Sequence, residues 1–186
     1  MSKTKEKILV TGCAGFIGMH LCHSLLNDGY TVLGIDNLNN YYSLKLKKAR
    51  LNELFVHNDF KFIKLDITDK ESLNDIFLGF NPNKVVNLAA QVGVRYSLEN
   101  PYVYAESNIV GFINLLECCR HHKTGGLIYA SSSSVYGNNK VIPFTEESIN
   151  YKPISLYAAS KISNELMAKV YSSLYGLHTT GLRFFT

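Results

Sequence analysis

The sequence predicts an α/β protein, a doubly wound parallel sheet that forms one domain over residues 1–186. Three observations carry this. Short apolar, β-branched runs alternate with longer stretches of helical periodicity along the chain. The first run passes at once into a glycine turn, Gly12, Gly15 and Gly18, at the head of an amphipathic stretch. The second run ends on an acid, Asp36, 18 residues beyond Gly18.

The elements follow in order. Residues 8–10 (Ile-Leu-Val) are a strand, and residues 16–26 are a helix with apolar positions at 16, 17, 21, 25 and 26. Strands are expected at 31–35, 60–65, 84–88, 127–131 and 179–185, and helices at 70–78, 101–121 and 156–175. Short, largely apolar strands of three to seven residues separated by helices belong to a parallel sheet covered on both faces. Ligands of such sheets bind across the carboxyl ends of the strands.

Gly12 allows the turn, Gly15 lets the backbone approach a pyrophosphate, and Gly18 permits close packing of helix on strand. The helix start at Phe16 and Ile17 then offers free N–H groups and a positive dipole end to phosphates. The spacing is Gly-x-x-Gly-x-x-Gly rather than the Gly-x-Gly-x-x-Gly of many dehydrogenases. Asp36 stands where a carboxylate accepts hydrogen bonds from an adenosine ribose, and it would repel a 2′-phosphate, which favours NAD over NADP. Its plain alternative is a turn residue within Asp-Asn-Leu-Asn-Asn.

Far downstream, Tyr157 and Lys161 are four apart on one helix and therefore share a face. A phenol titrating near ~10 is a poor base at neutral pH; an adjacent ammonium and a positively charged nicotinamide would draw it toward ~7. Between the two motifs, the serine run Ser131 to Ser134 opens at a strand's carboxyl end, a place for ligand contacts, among them Ser133, or for a polar loop.

Bulk properties bound the alternatives. At 186 residues, 46% apolar and 18% charged, the chain has the composition of an ordinary globular domain with a substantial core. No apolar run approaches the ~20 residues of a membrane span, and the start lacks a secretory core segment, so a cytoplasmic location without a membrane partner is expected. The four cysteines (13, 22, 118, 119) and six histidines lack metal-ligand spacing; reduced thiols and no metal are expected. The net charge of +4 is mild, and Lys45, Lys47, Lys48 and Arg50 read as a solvated helix face rather than a nucleic-acid patch.

Taken together, the glycine turn, Asn87-Leu88-Ala89-Ala90-Gln91, Ala130 to Gly137 and the Tyr157/Lys161 pair resemble the extended short-chain dehydrogenase/reductase superfamily of nucleotide-sugar epimerases and dehydratases, with a Rossmann-like fold. Residues 36–42, 46–51, 91–97 and 182–186 are similar to the UDP-glucuronate 4-epimerases of capsule and lipopolysaccharide synthesis. The resemblance implies NAD-dependent C4 epimerisation of a UDP-sugar, UDP-glucuronate to UDP-galacturonate, through a transient 4-keto sugar; a non-catalytic NAD-binding fragment or action on another nucleotide sugar are the alternatives. It implies that Tyr157 removes the 4-hydroxyl proton, that Lys161 also holds the nicotinamide ribose, and that Ser132 positions the sugar oxygen. Ala89 and Gln91 join the cofactor contacts.

Asp66 and Ile67 match an adenine contact, with a helix cap or turn as the alternative for Asp66. Asn108 is either a structural hydrogen-bonding group near the site or a helix-surface amide. Arg95 meets a substrate anion or makes a surface ion pair. Thr186 matches a threonine of the substrate carboxylate site. Dehydratases usually carry Asp-Glu where this chain has Ser133-Ser134, which argues against elimination. Relatives pair through the helices that fall here at 101–121 and 156–175, implying a homodimer. The last strand stops where its carboxyl edge should feed the next loop, so the substrate-binding region is expected to lie largely beyond residue 186.

Overall fold

In the computed structural model, residues 5–147 and 152–185 are described. Among them, six parallel strands form one sheet: β1 (Lys7–Thr11), β2 (Thr31–Asp36), β3 (Phe60–Lys64), β4 (Lys84–Asn87), β5 (Leu127–Ser132) and β6 (Thr179–Phe184). Their order is β3-β2-β1-β4-β5-β6. The order reverses between β1 and β4, which creates a crevice at the carboxyl ends of those strands.

The central strands are covered on both faces, because residues of either parity on β1 and β2 are apolar and buried. Ile8, Val10 and Val32 pack with Leu51, Leu54 and Cys22 from α1 (Phe16–Asn27) and α2 (Leu44–Leu54). Leu9, Leu33 and Ile35 point the other way, into Leu73 and Phe77 of α3 (Lys70–Phe80). The expected doubly wound sheet is therefore present. Truncating a fully buried residue such as Leu9 to Ala would cost about 2–5 kcal/mol.

Local signals set the helix ends. Asp69 caps α3 by accepting from Ser72 N at 3.1 Å, and Asn81 closes it in the left-handed region. Ser155 caps α7 (Leu156–Tyr175) through Ala158 N at 3.1 Å, and Gly176, at φ +66°, ends it.

Two elements differ from expectation. A short helix α4 (Tyr96–Glu99) follows β4, and residues 101–121 are not one uniform helix. There α5 (Tyr102–Tyr104) runs through a π-helical stretch, Ala105–Val110, into α6 (Gly111–His121). Such π segments gather at functional sites.

Candidate active site

One cleft of about 580 Å³ runs along the carboxyl ends of the strands. Gly12, Gly15, Phe16, Ile17, Gly18, Asp36, Asp66, Ile67, Ala89, Gln91, Ser132, Ser133, Tyr157 and Lys161 all line it. Asp36 on β2 and Ser132 on β5 are three strand spacings apart, about 14 Å at ~4.8 Å each. The cleft therefore has a glycine turn in the middle, an acidic end and a hydroxyl-rich end.

Backbone geometry makes the middle. Gly12 has φ +72°, and a Cβ there would lie 2.7 Å from Ala89 N. A Cβ on Gly18 would lie 2.1 Å from the Gly12 carbonyl oxygen. The N-cap of α1 is Gly15, which has no side chain to satisfy the first-turn N–H groups, so these face the cleft for an anion. Asn87 accepts the Thr11 hydroxyl at 2.6 Å, and that hydroxyl accepts from Ala89 N at 3.2 Å, so Asn87 braces the strand ends.

The acidic end is more elaborate than the sequence reading. Asp36 accepts from Leu38 N at 2.8 Å and Ala14 N at 3.3 Å, which fixes its carboxylate. The expectation that Lys47 belongs to a solvated helix face is overturned. Lys47 is only 4% exposed, lies 3.8 Å from Asp36, donates to Asn39 at 2.9 Å and sits 4.7 Å from the Tyr42 ring centroid. Burial needs a partner for an ammonium, and Asp36 and Asn39 supply it. Arg50, one turn on, donates to Ala14 O at 3.4 Å and Tyr42 Oη at 3.1 Å. Asn37, Asn39, Tyr41, Tyr42 and Lys47 line the cleft without having been assigned a role from the sequence. Their signal was the asparagine- and tyrosine-rich stretch right after β2.

Asp66 forms the turn, while the cap of α3 falls to Asp69. Asp66 accepts from Thr68 N at 3.0 Å in that turn and from Asn37 at 2.7 Å while lining the cleft. Burial pushes its carboxyl up, but the Asn37 and Thr68 hydrogen bonds outweigh this and hold it below its ordinary value. Ile67 is buried, and its carbonyl accepts from Asn114 at 3.0 Å.

At the other end, Ser132 Oγ accepts from Ser134 N at 3.1 Å, and the Ser132 side chain is placed to pull the Tyr157 phenol downward. Lys161, 3% exposed, donates to Ala130 O at 2.8 Å and lies 6.0 Å from the Tyr157 ring centroid. Burial brings the Lys161 ammonium down to about 8, still mostly protonated at neutral pH. The expected pull of Tyr157 toward neutrality is not a property of the chain by itself. Burial raises this phenol above its ordinary value, the Ser132 side chain offsets only part of that, and Lys161 directs one of its three donors to the β5 carbonyl.

Asn108 sits in the π segment, 2% exposed, and takes the structural role. It accepts from Gln91 N at 2.8 Å and donates to Gln91 O and Ser160 Oγ, each at 3.0 Å. This ties the β4 loop to α7. Arg95 is exposed next to α4 and is not among the cleft-lining residues. Thr186 lies outside the described residues. Among the described residues, no group of three or more His, Cys, Asp or Glu converges as a metal site, and no helix is long and apolar enough to cross a membrane.

Comparison with known proteins agrees with this geometry. Protein CapI of Staphylococcus aureus is 56% identical over 181 residues, 97% of this chain and 54% of that protein. UDP-glucuronate 4-epimerase 4 of Arabidopsis thaliana is 47% identical over 180 residues, 96% of this chain and 41% of the relative. The crystal structure of UDP-glucuronic acid 4-epimerase from Bacillus cereus, in complex with UDP-glucuronic acid and NAD, superposes with a TM-score of 0.88 at 37% identity, covering 97% of this chain and 56% of that one. The chain thus spans about half the length of the curated relatives it matches. Residues 9–186 match the sequence profile described as GDP-mannose 4,6 dehydratase, and the chain belongs to that family of short-chain-dehydrogenase-type epimerases and dehydratases.

Proposed function

We propose that this chain carries the cofactor site and proton-transfer groups of an NAD-dependent UDP-sugar 4-epimerase, with UDP-glucuronate and UDP-galacturonate as the sugar pair. The carrying observation is convergence: the glycine turn, Asp36, and the Ser132, Tyr157 and Lys161 side chains line one cleft. The residues fit the cofactor, since the side-chain-free turn at Gly12 and Gly15 clears the space a pyrophosphate needs. Asp36 would hold the adenosine ribose, Asp66 and Ile67 the adenine, and Gln91 and Lys161 the nicotinamide half. NAD, when bound, supplies the reversible hydride acceptor for the sugar carbon.

The chain's own residues handle the proton. Ser132 orients the 4-hydroxyl oxygen against Tyr157, whose phenolate takes the proton and, once the 4-keto sugar has turned its other face toward the cofactor, returns it to that same oxygen. Lys161 keeps a positive charge at this end of the cleft, which together with the cofactor's charge opposes the upward effect of burial on Tyr157. Ser133 and Arg95 are proposed sugar contacts, as is Thr186.

Within the family, epimerisation is favoured over dehydration by the lining of the cleft. Its carboxylates among the described residues, Asp36 and Asp66, stand at the ends of β2 and β3, and serines occupy 133 and 134, so the cleft lining at the carboxyl end of β5 offers hydroxyls rather than an acid for elimination. Four free, buried cysteines suit a reducing, cytoplasmic setting. A homodimer through 101–121 and 156–175 is supported by exposed Val110, Ile113, Leu166 and Val170 on those segments; sedimentation at the monomer mass would exclude it.

Proton NMR of the chain with NAD and UDP-glucuronate tests the reaction, with the anomeric signal of UDP-galacturonate as the expected outcome. NAD binding without any C4 epimer of UDP-glucuronate, UDP-glucose or UDP-N-acetylglucosamine would reduce the chain to a cofactor-binding unit.

A further inference from the structure

Arg183 of β6 touches three separate elements without lining the cleft. Its Nε and Nη2 donate to the two carboxylate oxygens of Glu165 on α7, at 2.9 and 2.8 Å, a bidentate fork. Its guanidinium lies 4.8 Å from the ring centroid of Tyr136, in the 3-10 turn Ser133–Tyr136 that carries the last two serines of the run. Its Nη1 donates to Glu146 O at 3.2 Å. Ser131 of β5 donates its hydroxyl to the same Glu165 carboxylate.

These contacts line up with the proton-transfer groups. Tyr157, Lys161 and Glu165 follow one another at intervals of four on α7 and so share a helix face. Lys161 bonds Ala130 O, and Glu165 bonds Ser131, so successive turns of α7 grip successive residues of β5 just before Ser132. In the β5–β6 register, Ser131 stands opposite Arg183. Arg183 therefore joins the helix bearing Tyr157 to the turn bearing Ser133 and Ser134. A planar fork fixes distance and angle together, which a packed apolar side chain would not.

We propose that Arg183, paired with Glu165, is a positioning residue that sets the spacing between α7 and the serine turn, and thereby the contact of Ser132 with Tyr157. This rests on reading Tyr157 and Ser132 as the proton-transfer pair. Around Tyr157 stand Ser132, Lys161 and the ring of Tyr104 at 6.2 Å; among these, the Ser132 side chain pulls the phenol downward.

The test uses R183M, R183K and E165Q, each with saturating NAD and each compared with its Y157F counterpart. Ultraviolet difference titration isolates the Tyr157 phenol. Its midpoint is expected to rise by about one unit in R183M as the Ser132 contact loosens, and by less in R183K, which keeps the charge but loses the fork. In turnover of the UDP-sugar, kcat is expected to fall about 100-fold in R183M with KM almost unchanged. A lower melting temperature with an unmoved Tyr157 midpoint and unchanged kcat would overturn the proposal and leave Arg183 a strut. Should R183M not fold, R183K and E165Q decide by the same two readouts. A wild-type chain that binds NAD but turns over no UDP-sugar would sink the epimerase reading, while the titration would still decide the role of Arg183.

Discussion

The cradle at the head of α1 and the corner at the head of α7 face the same cleft but are built from different materials. In the cradle the backbone sets the shape: Gly12 and Gly18 leave no room for a Cβ, and Gly15 caps the helix without a side chain. In the corner the side chains set it, through Lys161 on Ala130, Glu165 on Ser131, and Asn108 between Gln91 and Ser160. A backbone site tolerates no added atom. A side-chain site tolerates substitutions that keep its bonds, and its chemistry can be removed while its shape stays.

The largest contrast should come from Y157F. The variant keeps the ring that packs against Tyr104 and loses only the hydroxyl. Epimerisation is expected to fall about 1,000-fold, about 4 kcal/mol of barrier, with NAD affinity and melting temperature near wild type. Rates by NMR and NAD affinity by calorimetry check both halves; an unchanged rate would move the proton transfer elsewhere.

G18A is the mirror experiment. Its new Cβ would meet the Gly12 carbonyl oxygen and the Cys13 backbone, which cannot yield as a flexible side chain does. We expect a loss of about 3 kcal/mol in denaturant unfolding together with weakened NAD binding. A variant with wild-type stability would show that the turn can relax, and the cradle would then be no stiffer than the corner.

Protonation separates the two regions as well. Lys161 falls from an ordinary 10.5 to about 8 because burial penalises its charge. Below about pH 8 the folded state bears that penalty in full. From about 8 to 10.5 the unfolded chain binds a proton that the folded chain has released, so stability rises with pH. This contribution should amount to about 3 kcal/mol and should be missing from K161M. Chemical unfolding between pH 8 and 10 reads it as the difference between the two proteins, because the buried Cys13, Cys22, Cys118 and Cys119 thiols, raised above their ordinary 9.0, and the raised Tyr157 phenol act in the opposite direction in both. A flat difference between the two proteins would place the Lys161 ammonium in better solvation than its burial implies.

What the sequence revealed follows the same division. The cradle was legible because Gly12, Gly15, Gly18 and Asp36 lie within 25 residues and obey local rules of turn and strand. Tyr157 and Lys161 were legible by helical spacing. The π segment that turns Asn108 inward was not, because its hydrogen bonds go to residues 17 and 52 positions away in the chain. Arg183 and Glu165 were hidden for the same reason, since their significance lies in Ser131 and Tyr136 rather than in any nearby pattern. Lys47 was misread because four basic residues in a short stretch look solvated until Asp36, 11 positions earlier, is found beside one of them.

Lys47 offers the finest test, because it brings side-chain chemistry into the cradle. Its ammonium offsets the Asp36 carboxylate at 3.8 Å, with both side chains almost wholly buried. That end of the cleft is therefore closer to neutral than a lone aspartate would make it. In K47M a 2′-phosphate would face an unopposed carboxylate, whereas the ribose hydroxyls of NAD would still find their acceptor. Affinity for NADP should consequently fall more than affinity for NAD, widening the ratio about five- to tenfold, or about 1 kcal/mol. Titration of both dinucleotides against wild type and K47M measures it. Equal losses would mean that Lys47 serves only to tether Asn39 and Tyr42, and that cofactor choice rests on Asp36 alone.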